Sequence, residues 1–262
     1  MRGNYGGTTV TKIGSIERIL DGRVGKAIAR YDMIGSGDRI MVALSGGKDS
    51  WSLLFTLRRL SQKAPVSYRV FAVHVDAGYP GCDTGPMEEF LSRHGFEYEI
   101  IRTGIFGLIP QKTSPKDNPC YFCSRLRRGA LYARGRRGDI TKIALAHHQE
   151  DLMESLLMNL FFVGQIRAMG PKFVTEDGKN TVIRPLVLAE ERLVSRYARA
   201  MDFPIIGACP FSDRGSTNRR RMRELITQME QVYPRTKKSL LRAMANVDPI
   251  HLLDTRLTRR DP

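Results

Sequence analysis

Apolar residues in this chain fall into short continuous runs separated by stretches of helical repeat. Ile40 to Leu44 is the first run. Trp51, Leu53, Leu54, Leu57 and Leu60 follow at roughly helical spacing, so strand, tight turn and helix are predicted in succession. A second β-rich run covers Tyr68 to Val75, a helix opens at Pro86 and stops at Gly95, and a third strand covers Glu97 to Arg102. Cys120 to Cys123 run directly into Ser124 to Arg128 and a helical pattern that reaches Arg137. A fourth strand, Thr141 to Ala146, precedes a helix with Leu152, Met153, Leu156, Leu157, Leu160 and Phe161 on one side. This alternation predicts an α/β fold, a doubly wound parallel sheet.

The pattern is weaker at the ends. Residues 1–37 predict an N-terminal appendage with one short helix, Val24 to Ile34, and residues 103–119, rich in Gly, Pro and Lys, predict a long loop. Asp177 to Asn180 predicts a turn, Thr181 to Leu186 a short strand and Glu190 to Met201 a helix. Two more helices are predicted, Asn218 to Val232 and Arg235 to Ala245. The expected organisation is an appendage (1–37), an α/β domain (38–206) and a basic C-terminal helical region (207–262).

Charge adds a partner to this picture. The 262 residues include 42 Lys plus Arg against 27 Asp plus Glu, a formal net charge of +15. Such a surface attracts a polyanion, with a membrane surface as the competing inference. No stretch of about 18 apolar residues suits a membrane span. Met1 to Val10 lacks the apolar core of a signal peptide, so a cytoplasmic protein is expected. Four cysteines are too few for a disulfide scaffold, and two close together suggest metal or redox work.

Ser45, Gly46, Gly47, Lys48, Asp49 and Ser50 join the first strand to its helix. A helix start offers unpaired N–H groups and a positive dipole end, glycines let the main chain approach a phosphate, and Lys48 adds a mobile charge. Asp49 would repel a bare phosphate, and makes most sense beside a shared divalent cation such as Mg2+. The plainer reading is a glycine turn capped by Ser45 or Asp49. The Walker pattern is excluded, because no earlier glycine stands at the required offset. His74 and Asp76, at the end of the second strand, are candidate nucleotide neighbours, although aspartate also favours turns.

Cys120 and Cys123 are spaced to reach one metal from a loop and the first turn of a helix. Cys209 is the other cysteine in a region able to fold over the same face, while Cys82 sits in its own loop. Structural zinc, an iron-sulfur cluster with one open iron, a redox dithiol and two small buried residues all remain readings of the pair. His147 and His148 are adjacent at a strand end and point to opposite faces, which argues against a shared ion. Asp151 follows at the mouth of a helix, as a cap or as a Mg2+ ligand opposite Asp49. Arg125, Arg127, Arg128, Arg134, Arg136 and Arg137, with Arg214, Arg219, Arg220, Arg221 and Arg223, suggest a phosphate-backbone track, each of them singly reading as a solvated charge. An RNA target base would have to be unstacked to reach the centre.

The run Ser45 to Ser50 resembles the pyrophosphate-binding loop of the N-type ATP pyrophosphatases, the PP-loop superfamily. Four further stretches are similar to its tRNA 2-thiocytidine synthetase branch: Cys120 to Tyr132, Lys142 to Asp151, Val182 to Leu186 and Asn246 to Leu252. The resemblance runs from about residue 24 to 256, with the cysteine-arginine segment its most specific part. It implies ATP and Mg2+ as cofactors and tRNA as substrate, with cytidine 32 of the anticodon loop adenylated on its C2 oxygen and then thiolated. It further implies a [4Fe-4S] cluster on Cys120, Cys123 and a third cysteine, a cysteine desulfurase or other sulfur donor, and a homodimer. Cys209 stands where the branch usually has a further cysteine pair. By the same resemblance Asp151 is catalytic or positions Mg2+, and Arg127 falls where related thiolases place a catalytic lysine. Rival expectations are a 2-thiouridine synthetase, an amidating ligase and a non-catalytic zinc-stabilised RNA-binding module. The three cysteines argue against the ligase, and the missing terminal cysteine pairs against the 2-thiouridine branch.

Overall fold

The computed structural model describes residues 7–112, 119–206 and 217–255. Two compact units are distinguished, residues 1–149 with 170–217, and residues 150–169 with 218–262.

Among the described residues the first unit is built on six strands, β1 (Asp38–Ala43), β2 (Tyr68–Asp76), β3 (Tyr98–Arg102), β4 (Lys142–Ala144), β5 (Lys172–Val174) and β6 (Thr181–Ile183). Their order across the sheet is β3-β2-β1-β4-β6-β5. β1 runs parallel to both neighbours, with Ile40 opposite Val70 on one side and Lys142 on the other. β5 alone is antiparallel, pairing Phe173 with Val182 across the turn at Asp177 to Asn180. The chain builds β2 and β3 on one side of β1 and then crosses to β4 on the other. Sheet order therefore reverses between β1 and β4, where α/β sheets open a ligand crevice beyond the carboxyl ends of their strands. The Ser45 to Ser50 loop leaves β1 at that point.

Side-chain alternation divides the sheet into two faces. Met41, Phe71, Val73, Ile143 and Val182 form one buried cluster, against which Leu131 and Tyr132 of α5 (Pro119–Gly135) pack. Ile40 and Val42 alternate with them. The helix after the loop, α2 (Lys48–Ser61), packs on β1 and β2 and buries every residue from Ser50 to Leu57. Trp51 explains much of that depth. Its indole stacks on Phe203 at 5.7 Å and its Nε1–H donates to the Pro204 carbonyl at 2.9 Å. Pro204 follows α7 (Glu191–Met201), whose own inner face is Leu193, Val194, Tyr197 and Ala198. Arg59 ties three helices together. It donates to Asp21 and Glu17 of α1 (Gly7–Arg30) and, at 2.8 Å, to the Tyr197 hydroxyl.

Three expectations change. The N-terminal helix runs over Gly7–Arg30 rather than Val24 to Ile34. Ile16, Leu20, Val24 and Ala27 line its buried face, and α1 packs against α2, α7 and the 3-10 turn Pro185–Leu188. Gly22 and Gly25 obscured the repeat; nothing approaches where their side chains would stand. The expected loop at 103–119 contains a helix, α4 (Ile105–Lys112), because Ile105 and Ile109, one turn apart, bury against Val75 and Ala77. The strand expected over Thr181 to Leu186 stops at Ile183, and Pro185 opens the 3-10 turn instead. The remaining helix of this unit, α3 (Gly85–Arg93), lies where expected.

The second unit takes most of α6 (Gln149–Phe162), with α8 (Thr217–Val232) and α9 (Thr236–Ala243). No helix among the described residues is long and apolar enough to cross a membrane.

Candidate active site

The loop after β1 is held by its own hydroxyls. Ser45 N–H donates to Ser50 Oγ at 3.1 Å, Gly47 N–H to Ser45 Oγ at 3.3 Å, and Ser50 Oγ to the Gly47 carbonyl at 2.9 Å. Gly46 has φ +84°, and a Cβ there would meet Ile206 at 2.9 Å. Only glycine suits both demands. Ile206 N–H in turn donates to the Gly46 carbonyl at 3.2 Å. Gly47 is the N-cap of α2 and no side chain caps it, so the capping reading of Ser45 or Asp49 does not hold. The first-turn N–H groups keep the polarity that receives an anion.

Lys48 opens α2. Its Nζ is 2.8 Å from Asp49 Oδ1 and 3.3 Å from Oε1 of Glu191, the first residue of α7. Burial pulls the lysine pKa down, and the two carboxylates, Asp49 first, more than offset it, leaving the ammonium above its ordinary value. Two carboxylates against one ammonium is donor chemistry that fits a hard divalent cation. The Glu191 contact escaped the sequence reading. It spans 143 residues, and an acidic residue in the first turn of a helix is ordinary.

His74 supports the loop from β2, whereas Asp76, two residues on, organises the turn beyond that strand. His74 is 3% exposed, and its Nδ1 lies 2.8 Å from the carbonyl of Leu44, the residue before the loop. A carbonyl only accepts, so Nδ1 carries the proton, and buried Nε2 is left without a hydrogen-bond partner. Burial lowers the His74 pKa, with the charge of Arg127 acting in the same direction. Asp76 Oδ1 accepts from Gly78 N–H at 2.8 Å, closing a turn, while its main-chain carbonyl accepts from Thr103 N–H and Oγ1. Gly78 has φ +73°, and a Cβ would stand 2.8 Å from the Thr103 carbonyl oxygen.

Helix α5 brings the second chemistry. Cys120, Cys123 and Arg127, at i, i+3 and i+7, share one face. Phe122, Cys123, Leu126 and Ala130 pack on the cluster of Val75, Ala77, Ile105 and Ile109, so this part of α5 lies at the carboxyl end of β2. Arg127 is near enough for its charge to act on both His74 and Cys82. Cys82 hydrogen-bonds with Tyr79 and Asp76, and burial pushes its thiol upward. Arg125 and Arg128 are exposed. Cys120 and Cys123 are one helical turn apart, spacing that suits two thiolates on one cluster. Cys209 and Arg214 lie outside the described residues. Among the described residues, no group of three or more His, Cys, Asp and Glu is arranged to hold a metal ion. His147 and His148 part as expected: Arg184 Nε donates to His147 Nδ1 at 3.1 Å, whereas His148 is buried.

In the second unit Asp151 lies in the first turn of α6 beside Glu150. Arg219 of α8 is 3.5 Å from Asp151 and 3.5 Å from Glu154, Arg223 is 2.7 Å from Glu154, and Lys237 is 3.3 Å from Glu150. Glu154 is fully buried. Arg220 faces Glu224 at the surface.

A glycine loop at the switch point of a parallel sheet, with a lysine opening the next helix, makes this a PP-loop α/β domain. A U34-tRNA thiolase from Methanococcus maripaludis, solved with its [4Fe-4S] cluster, shares the fold, with a TM-score of 0.70 and 21% identity over 90% of this chain and 81% of that one. Curated relatives carry the identification further. Proteins named tRNA-cytidine(32) 2-sulfurtransferase from Geotalea uraniireducens and Geotalea daltonii are 44% identical over 239 residues and 46% identical over 242. Each match covers 91% of this chain and 95% of the relative. The chain belongs to the tRNA-cytidine(32) 2-sulfurtransferase family, and it is a transferase. No protein-family model matches it.

Proposed function

We propose that this protein replaces the C2 oxygen of cytidine 32 in tRNA with sulfur, in two steps that use the loop and α5 in turn. The loop takes ATP: the α2 N–H groups and Lys48 hold the phosphates, and Asp49 would be a ligand for Mg2+, which would neutralise phosphate charge there. The C2 oxygen attacks the α-phosphorus, pyrophosphate leaves, and the base carries an adenylate. Sulfide then bonds to C2 and AMP departs with the original oxygen. Activation is needed because an unactivated pyrimidine oxygen is a poor leaving group, and the cost of phosphoryl chemistry lies in positioning and charge neutralisation. Cys120 and Cys123, with Cys209 as third ligand, would hold a [4Fe-4S] cluster, which supplies an open iron for delivering sulfur. The sulfide would come from a separate donor, such as a cysteine desulfurase whose persulfide sulfur is released as sulfide by a two-electron thiol reductant.

Asp151 is assigned, by family resemblance, a catalytic or Mg2+-positioning role, and Arg219 stands 3.5 Å from its carboxylate. His74 holds the Leu44 carbonyl and so the entry to the loop. Arg125, Arg127, Arg128 and Arg220 are assigned to the tRNA backbone. The observation that carries this reading is the occurrence, in one unit of a family member, of an uncapped anion-binding helix start and of two cysteines one helical turn apart. Nucleoside mass spectrometry of tRNA from cells with and without the gene tests it. Loss of 2-thiocytidine on deletion is expected, and its persistence would defeat the proposal.

A further inference from the structure

Lys48 is already engaged before any nucleotide arrives. An anion entering at the start of α2 must draw the ammonium away from Glu191 or share it. In either event the Glu191 carboxylate, 29% exposed, gives up part of its Lys48 pairing and repels the phosphate oxygens from a half-buried position. That repulsion is weakly screened by water at such a position. A divalent cation bound to the incoming phosphates reverses its sign, since carboxylate and phosphate then share the cation.

Glu191 opens a well-anchored helix. Its helix is fixed to α2 by the hydrogen bond from Arg59 to Tyr197, and the segment after α7 by the stack of Trp51 on Phe203. The carboxylate is thus presented to the loop from a rigid element rather than from a mobile connection. Asp49 belongs to the loop itself, and Glu190, next to Glu191, turns instead toward Arg23 at 3.9 Å.

From this geometry we infer that Glu191 is a specificity-determining residue: it holds Lys48 in the empty loop and makes the loop select a nucleoside triphosphate complexed with a divalent cation over the bare triphosphate. The inference rests on the loop being the ATP site.

The test is direct binding of ATP to the full chain by equilibrium dialysis, once with Mg2+ and once with EDTA. Wild type is expected to prefer the Mg2+ complex. Glu191→Gln should narrow that preference about tenfold, the effect of one charge removed within several ångströms, chiefly through tighter binding of bare ATP. Glu191→Asp should keep the preference, and Glu190→Gln should leave it at the wild-type value. An unchanged preference in a folded Glu191→Gln protein, or equal weakening of both forms, would overturn the inference. Should the glutamine variant not fold, Glu191→Ser replaces it, with the same expectation. Wild type that binds neither form would bring down the ATP reading of the loop along with this one.

Discussion

The loop after β1 and the cysteine face of α5 belong to the same unit but are secured to very different degrees. Helix α2 buries eight consecutive residues and is pinned by Trp51 and Arg59. Helix α5, three residues longer, fully buries only Gly135, and its cysteine turn rests on Phe122, Cys123 and Leu126 at the edge of a small cluster. Phosphate activation demands donors fixed ahead of the reaction, which a buried helix supplies. Sulfur delivery demands that a reactive group be reached, loaded and spent, which suits a helix held along one side. The contrast teaches that two steps of one proposed reaction can draw on opposite ends of the local stability range.

The largest effect should come from separating the two steps. Cys120→Ala is expected to abolish thiolation in a tRNA assay while ATP binding stays within about twofold of wild type, and Lys48→Ala to weaken ATP binding and remove pyrophosphate release. If Cys120→Ala also lost ATP binding, the loop and α5 would not be separate parts. Stability is the next measure. Trp51→Ala should cost about 3–5 kcal/mol in urea unfolding, against about 1–2 kcal/mol for the half-buried Phe122→Ala. Equal costs would erase the contrast. Amide hydrogen exchange should then report faster opening in α5 than in α2, and the reverse order would contradict the burial difference.

The smallest effect is a pH dependence at the junction of the two regions. His74 has a folded-state pKa below the ordinary value of about 6.5, through burial first and Arg127 second. The unfolded chain therefore takes up the proton first, so His74 costs stability as pH falls through about 6.5. The slope is at most about 1.4 kcal/mol per pH unit for one proton, and ends once pH is below the folded value. Denaturation midpoints between pH 7.5 and 5 should converge less steeply for His74→Gln than for wild type. Identical slopes would show that the ring does not titrate across unfolding.

Much of the first region was legible in the sequence because local pattern and tertiary burial agree there. Ile40 to Leu44 is an uninterrupted apolar run, and the repeat from Trp51 to Leu57 matches the buried face of α2. Cys120 and Cys123, expected to span a loop and the first turn of a helix, instead both lie within α5, which opens at Pro119. Legibility failed where glycine and proline interrupt a repeat that packing restores, as in α1 and α4, because local propensity is overruled by burial of Leu20, Val24, Ile105 and Ile109. It failed again for Glu191, whose importance lies in a contact that no local pattern encodes. Arg219 and Arg223 posed a third kind of difficulty. As sequence they are two more positive charges, and only the fold turns them toward buried Glu154.

That inward pairing bears on how tightly the chain can hold RNA in salt. A basic side chain strengthens binding to a phosphate backbone largely by releasing condensed counterions. Arg219, Arg223 and Lys237 are already neutralised by Asp151, Glu154 and Glu150, so they have few counterions to displace. The slope of log affinity against log salt concentration should therefore report far fewer phosphate contacts than the 42 Lys plus Arg would suggest. Glu154, a glutamate that no solvent reaches, thus removes two arginines from the charge that a polyanion would meet.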